Sequence, residues 1–215
     1  MLSLIIIRHG QTDWNKARLI QGQLDIELNE TGIEQATALR STLVPLVKES
    51  PVPIRAMASD LKRAFHTAEL GLDGCLEIEP EPMLREINYG SWQGLDHTQI
   101  RANDPVAAQR WWNEPEWDYK PHGGESHADL QTRMSTFHQQ RILPLVEEGP
   151  HRVIIFTHGA SMRAYLNVIL ESKAHFTCNN CSINEILLRK NHIPRLHFFN
   201  VFPHQKPPFF RIRQE

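Results

Sequence analysis

Two short runs decide most of what this chain can fold into. Leu4-Ile-Ile-Ile7 leads into Arg8-His9-Gly10, and Val153-Ile-Ile-Phe156 leads into Thr157-His158-Gly159. Unbroken aliphatic runs of this length, each closed by a histidine and a glycine, suit strands buried on both faces, as in a parallel sheet with helices on either side. Ile54 to Ala58 is a third such strand, followed by Ser59-Asp60 and a helical stretch to about Leu70. Thr31-Gly-Ile-Glu34 reads as a capping box, opening a helix with Ile33, Ala36, Leu39, Leu43 and Leu46 on its apolar face. Pro45 kinks or ends that helix early.

A second helix is predicted from near Ser126 to Glu148, with Leu130, Met134, Phe137 and Leu145 on one side and Pro144 disturbing its last turns. A third runs from Ala160 to Leu170, and Ile183 to Leu188 and Leu196 to Phe202 read as further strands. The alternation predicts an α/β protein: three layers, an open and mostly parallel sheet with helices on both faces. Ligands in such sheets bind at the carboxyl ends of the strands. His9 and His158 stand at two of those ends, so neighbouring strands would turn both imidazoles into one cleft. One such histidine reads as a polar strand end meeting water. Two in matched positions, each before a glycine, read as a site.

At 215 residues the chain is about 1.4 times the usual one-domain length, so residues 1–215 read as one domain with an insertion. That insertion or cap spans about 96–122, where Trp111, Trp112, Trp117 and Tyr119 are interspersed with Arg101, Arg110 and Lys120. Its tryptophans either pack it against the sheet or form an aromatic wall for a substrate ring. The 23 Lys and Arg against 25 Asp and Glu leave a net charge of −2, which provides no footprint for nucleic acid and no polybasic membrane patch. The four-residue run at Leu4–Ile7 is far below the ~20 residues of a membrane span and too short for a signal-peptide core, so a cytoplasmic protein is expected. Three cysteines make no disulfide framework. Cys178-Asn-Asn-Cys181, with His175 upstream, lacks a paired fourth ligand and reads as two small residues at the mouth of a strand, so no metal is expected. The Phe/Pro-rich stretch from Phe198 to Phe210 either covers the sheet edge or contacts a second subunit in a homodimer.

The chemistry concentrates after the first strand. In Arg8-His9-Gly10-Gln11-Thr12, a guanidinium fork can hold a phosphate while imidazole approaches phosphorus. Gly10 lets the backbone come close to an anion, and Thr12 and Asn15 add neutral donors. Arg63 falls in the first turn of a helix after a strand, where the helix terminus also favours an anion. Leu84-Arg85-Glu86-Ile-Asn-Tyr89-Gly90 offers a carboxylate in a Gly- and aromatic-rich loop, a position for a general acid or base. Gly123-Gly-Glu125-Ser126 starts the long helix, and Thr157-His158-Gly159 completes the set.

In this order, from Ile5 to about Gly159, these residues resemble the histidine phosphatase superfamily, the phosphoglycerate mutase-like family. The resemblance implies that His9 is a nucleophile that becomes a phosphohistidine. It implies that Arg8, Arg63 and His158 surround the phosphoryl group and that Glu86 is the proton donor. Asn15, Gln21, Gly22, Tyr89 and Gly159 match positions that line the substrate site. Gln11 stands where many members carry Glu, outside the phosphate-contacting set. Only 72 residues separate Glu86 from His158, and Arg110 is followed by Trp111 rather than by the second arginine of a mutase's carboxylate-binding pair. The small bacterial phosphatases, α-ribazole phosphatases and broad-specificity enzymes among them, resemble the chain more closely than the mutases do.

The expected activity is hydrolysis of a small-molecule phosphomonoester such as α-ribazole 5'-phosphate or a sugar phosphate, with no cofactor. His9 is required neutral, its other nitrogen bonded to a backbone carbonyl. The competing readings are mutase-type phosphoryl transfer and a non-catalytic phosphate-binding or interaction module. A binding module has no use for Glu86.

Overall fold

A computed structural model describes residues 1–113 and 116–205. Among them, strands β1 (Leu2–Arg8), β2 (Ile54–Ala58), β3 (Ile78–Pro80), β4 (His151–Thr157), β5 (Ile183–Leu188) and β6 (Arg195–Val201) form one sheet in the order β3-β2-β4-β1-β5-β6. β1 to β4 are mutually parallel, and β5 runs antiparallel between β1 and β6. The helices are α1 (Asp13–Ala17), α2 (Glu30–Ala38), α3 (Arg40–Lys48), α4 (Lys62–Leu72), α5 (His97–Asn103), α6 (Pro105–Ala108), α7 (His127–Phe137), α8 (Leu143–Glu148) and α9 (Gly159–Ile169).

The central strands bury both faces. Leu4 and Ile6 of β1, with Val153 and Ile155 of β4, join one core with Leu130, Met134, Phe137, Met162 and Leu166 of α7 and α9. Ile5, Ile7, Ile154 and Phe156 point the other way, onto Ala36, Leu39, Leu43, Ala68 and Leu72 of α2 to α4. Each large aliphatic side chain so buried stabilises the fold by roughly 1.5–3 kcal/mol. This is the three-layer α/β arrangement.

Local boundaries differ from the sequence reading. Asn29, not Thr31, caps α2, its side chain accepting from Gly32 N–H at 2.9 Å. That earlier start leaves Ile33 40% exposed, while Gly32 and Ala36 face the core. The helix breaks at Leu39 rather than at Pro45, which lies inside α3. The long second helix does begin at Ser126, with a reciprocal Ser126–Asp129 capping box. It loosens into a π-helical turn at His138–Ile142, so Pro144 falls in the first turn of α8, where its missing N–H costs little.

In the cap, Trp111 is 3% exposed and meets Trp92 edge-on at 5.5 Å, while Trp112 stacks on Trp92 at 5.4 Å. Both pack the cap onto the core; Trp117 remains exposed. Phe198 and Phe199 belong to the edge strand β6, and the stretch 206–210 lies outside the described residues. No helix among the described residues is long and apolar enough to cross a membrane.

Candidate active site

β1 and β4 end in register, Arg8 opposite Thr157, which sets His9 beside His158 with ring centroids 5.1 Å apart. Both are buried, and the His9 N–H donates to the Thr157 carbonyl at 2.9 Å. His9 Nδ1 lies 2.6 Å from the Gly10 carbonyl. A carbonyl only accepts, so the neutral ring carries its hydrogen on Nδ1 and its lone pair on Nε2. Burial, then the charges of Arg63 and Arg8, push His9 well below its ordinary pKa against the opposing pull of that carbonyl. The imidazole is neutral at physiological pH.

Gly10 serves a different purpose from the one expected. A Cβ there would stand 2.6 Å from the Gly32 carbonyl, so the glycine admits helix α2 rather than an anion.

Arg63, fully buried in the first turn of α4, donates from Nη1 to Leu24 O at 2.8 Å and from Nη2 to Gly22 O at 2.7 Å. Gly22 has φ +55°, a backbone that favours glycine. Burial lowers Arg63 to about 10, so it stays charged at neutral pH. Arg8 donates from Nη1 to Cys178 O at 2.6 Å.

His158 Nε2 lies 2.8 Å from Ser59 Oγ, which also accepts from Leu61 N–H. Ser59 has a hydroxyl hydrogen to give to Nε2, and in that tautomer the imidazole hydrogen is on Nδ1. Burial first, then the charge of Arg63, holds this ring well below its usual pKa too. Arg8 Nε, Arg63 Nε and His158 Nδ1 are all buried without a hydrogen-bond partner among the described residues.

Glu86 sits at the start of α9. Its carboxylate accepts from Ala160 N–H at 3.1 Å, Ser161 N–H at 3.0 Å and Ile87 N–H at 3.0 Å, while the Ser161 hydroxyl donates to the Arg85 carbonyl at 2.6 Å. Two of these amides are in the first turn of α9, where the helix dipole favours a carboxylate. Its charge is felt by Arg8, Arg63 and Tyr89, so the five residues expected at one centre do converge. Gly159 lies against the Arg8 guanidinium, its ideal Cβ 3.5 Å from Arg8 Cζ. Burial raises the Tyr89 phenol above its usual value.

Thr12 and Asn15 bond chiefly to each other, in a reciprocal capping box that starts α1. Gln21 is mostly buried, with Oε1 unpartnered. Cys178 and Cys181 are buried free thiols that burial raises to about 11 and about 12. Their backbone, not their sulfur, meets the site, with Cys181 N–H donating to Arg8 O at 3.0 Å. Among the described residues no group of His, Cys, Asp or Glu is arranged to hold a metal ion.

Sequence reasoning missed the supporting residues. Asn180 Nδ2 donates to the His9 carbonyl at 2.9 Å. Arg133 donates to the carbonyls of Met83, Arg85 and Glu86 and pairs with Glu125, fixing the Glu86 loop. Glu125 lay in the recognised Gly-Gly-Glu-Ser string and could have signalled that loop. Arg133 and Asn180 carry no local signal.

Comparison with known proteins identifies the family. The family model for the histidine phosphatase superfamily, branch 1, matches residues 4–201. A glucosyl-3-phosphoglycerate phosphatase of Mycobacterium tuberculosis is 38% identical over 174 residues, 78% of this chain and 75% of that one. A metal-independent phosphoserine phosphatase of Arabidopsis thaliana is 34% identical over 188 residues, 86% and 76% of the two chains. The solved structure of a mycobacterial glucosyl-3-phosphoglycerate phosphatase with VO3 superposes with a TM-score of 0.77 at 31% identity, covering 92% of this chain and 98% of that one. The chain belongs to branch 1 of the histidine phosphatase superfamily.

Proposed function

We propose that this histidine phosphatase is a metal-independent phosphomonoester hydrolase that passes the phosphoryl group of a small metabolite to His9 and then to water. The observation that carries the reading is the trio Arg8 Nε, Arg63 Nε and His158 Nδ1, buried and unpartnered around a neutral imidazole with its Nε2 lone pair available. Buried donors without partners are costly, and one phosphoryl dianion satisfies all three.

In the first step His9 Nε2 attacks phosphorus; the N–P bond forms, the ester P–O bond breaks, and the departing oxygen takes a proton from Glu86. In the second, water gives a proton to Glu86 and attacks phosphorus, and the N–P bond breaks to release phosphate and neutral His9. Arg8, Arg63 and His158 stabilise the charge spread over the equatorial oxygens. The two guanidinium charges do the work a metal cation would otherwise do. Asn15, Gln21, Gly22, Tyr89 and Gly159, with Thr12 acting through Asn15, line the approach of the alcohol part. Sugar phosphates, α-ribazole 5'-phosphate, phosphoserine and glucosyl-3-phosphoglycerate form the set of substrates to screen.

The test is chemical trapping. With excess EDTA present, protein quenched during turnover is expected to carry an acid-labile, base-stable phosphoryl group on His9. His9→Ala is expected to lose both the adduct and turnover, by about 10⁴-fold or more. Turnover in that variant within tenfold of the parent, or an adduct elsewhere, would overturn the mechanism.

A further inference from the structure

Each of the two peptide groups flanking Gly10 is held at both ends. In the first, between His9 and Gly10, the carbonyl accepts from Asn180 Nδ2 at 2.9 Å and the N–H donates to Thr67 Oγ1 at 3.0 Å. In the second, between Gly10 and Gln11, the carbonyl lies 2.6 Å from His9 Nδ1 and the N–H donates to Gln35 Oε1 at 2.9 Å. A backbone N–H only donates, so the atom of Gln35 that meets it is the amide oxygen. Gln35 is half-buried on α2, one turn after Gly32. The start of this helix packs on the same stretch of backbone: a Cβ at Gly32 would collide with the Gln11 carbonyl, and Asn29 N–H donates to that carbonyl at 3.0 Å.

A continuous chain therefore runs from the nucleophile to the helix, from His9 Nδ1–H to the Gly10 carbonyl, through the amide to the Gln11 N–H, and on to Gln35. An acceptor on the N–H pushes electron density through the conjugated amide onto its carbonyl oxygen, which becomes the better acceptor. That matters most during attack. As Nε2 bonds to phosphorus its lone pair is consumed, the ring gains positive charge, and Nδ1–H becomes a stronger donor. The charges of Arg63 and Arg8 already act on this ring, so the new charge has to be spread away from them. The group that receives it is a neutral peptide rather than a carboxylate. Its strength as an acceptor depends on what its own N–H meets.

We propose that Gln35 is a positioning residue for the nucleophile. By accepting from the Gln11 N–H it fixes and polarises the Gly10–Gln11 peptide, which keeps His9 in its Nδ1–H tautomer and stabilises the ring as it becomes cationic. Gln35 touches neither the substrate nor the reacting atoms. The inference rests on the hydrolase reading and adds to it a residue that acts on rate rather than on affinity, because the carbonyl bond strengthens only as the ring charges.

Two substitutions test it. Gln35→Met removes the acceptor at similar length, and Gln35→Glu keeps it with added negative charge. In Gln35→Met, single-turnover phosphorylation of His9 is expected to slow by about five- to tenfold, equally for p-nitrophenyl phosphate and an alkyl phosphate, with the half-saturating concentration unchanged. Gln35→Glu is expected to match or exceed the wild-type rate. Proton and nitrogen NMR of protein with isotope-labelled histidine reads the same chain without turnover. The His9 Nδ1–H resonance should move upfield in Gln35→Met, as its hydrogen bond weakens, and downfield in Gln35→Glu. A Gln35→Met protein that loses stability but keeps both the wild-type rate and the wild-type Nδ1–H resonance would overturn the proposal, as would a slowing carried by the half-saturating concentration alone. If the wild-type protein forms no phosphohistidine, the hydrolase reading fails instead. The direction of the Nδ1–H shifts in the two variants then still decides whether Gln35 acts on His9.

Discussion

The two sides of the site are built on opposite principles. On the sheet side, Arg8, Arg63 and His158 each keep a buried polar atom unpartnered, held open by backbone carbonyls and Ser59 that fix the rest of each group. On the loop side, the Glu86 carboxylate is held by backbone amides, Ile87 and Ser161 at Oε1 and Ala160 at Oε2. The sheet side waits for a ligand and needs no rearrangement to receive one. The loop side already has its partners, and Oε2, which accepts one bond, is the oxygen left to carry a proton for a departing group. Charge holding and proton transfer are thus divided between orphaned donors on one side and a backbone-anchored carboxylate on the other.

The largest effect that tests this contrast is at Glu86. Glu86→Gln keeps the size and removes the titratable proton, so single-turnover phosphorylation of His9 is expected to slow by about 10²–10⁴-fold for an alkyl phosphate. For p-nitrophenyl phosphate, whose phenolate leaves unaided, the slowing should be far smaller. Equal slowing for both would mean that the carboxylate only holds the start of α9. The acid would then have to be sought at His158.

A smaller effect is expected on the preorganised side. Ser59→Ala removes the partner of His158 Nε2, a loss of about 1 kcal/mol, or roughly fivefold in rate, for both kinds of leaving group. A leaving-group dependence in Ser59→Ala as strong as that of Glu86→Gln would erase the distinction between the two sides.

Outside catalysis, the same burial acts on stability. His9 and His158 are held well below 6.5, and burial takes His138 to about 4. A histidine with a lowered folded pKa takes up its proton more readily in the unfolded chain, so stability present above about pH 6.5 is lost as pH falls. For His138 that loss accumulates between about 6.5 and its folded value of about 4. The unfolding midpoint should therefore drop across this window, and His138→Gln should flatten the drop. A midpoint that rises as pH falls would contradict the burial argument.

Much of this was legible beforehand. Runs such as Leu4–Ile7 and Val153–Phe156 announce two-sided burial because each residue has only apolar surroundings to choose. The strand ends then follow, and with them His9 and His158. The α2 start was misjudged because Asn29 and Thr31 are both good caps, and only packing against β1 decides between them. β3 is three residues long and has no period to read. Ser59, Asn180 and Arg133 were invisible because their partners lie about 50 to 170 residues away, and no local pattern records a contact made by the sheet order.

That sheet order also governs how the protein is made. β1 has no early neighbour: its partners β4 and β5 come from residues 151–188. At roughly 5–20 residues per second, a growing chain carries the aliphatic β1 segment unpaired for on the order of ten seconds before β4 emerges. The strand ends that carry His9 and His158 are not brought together until then. Closing a loop of this length is also among the slower events in folding. The arrangement that brings His9 to His158 leaves the first apolar run the longest without a strand neighbour, and that run is the segment most in need of shielding during synthesis.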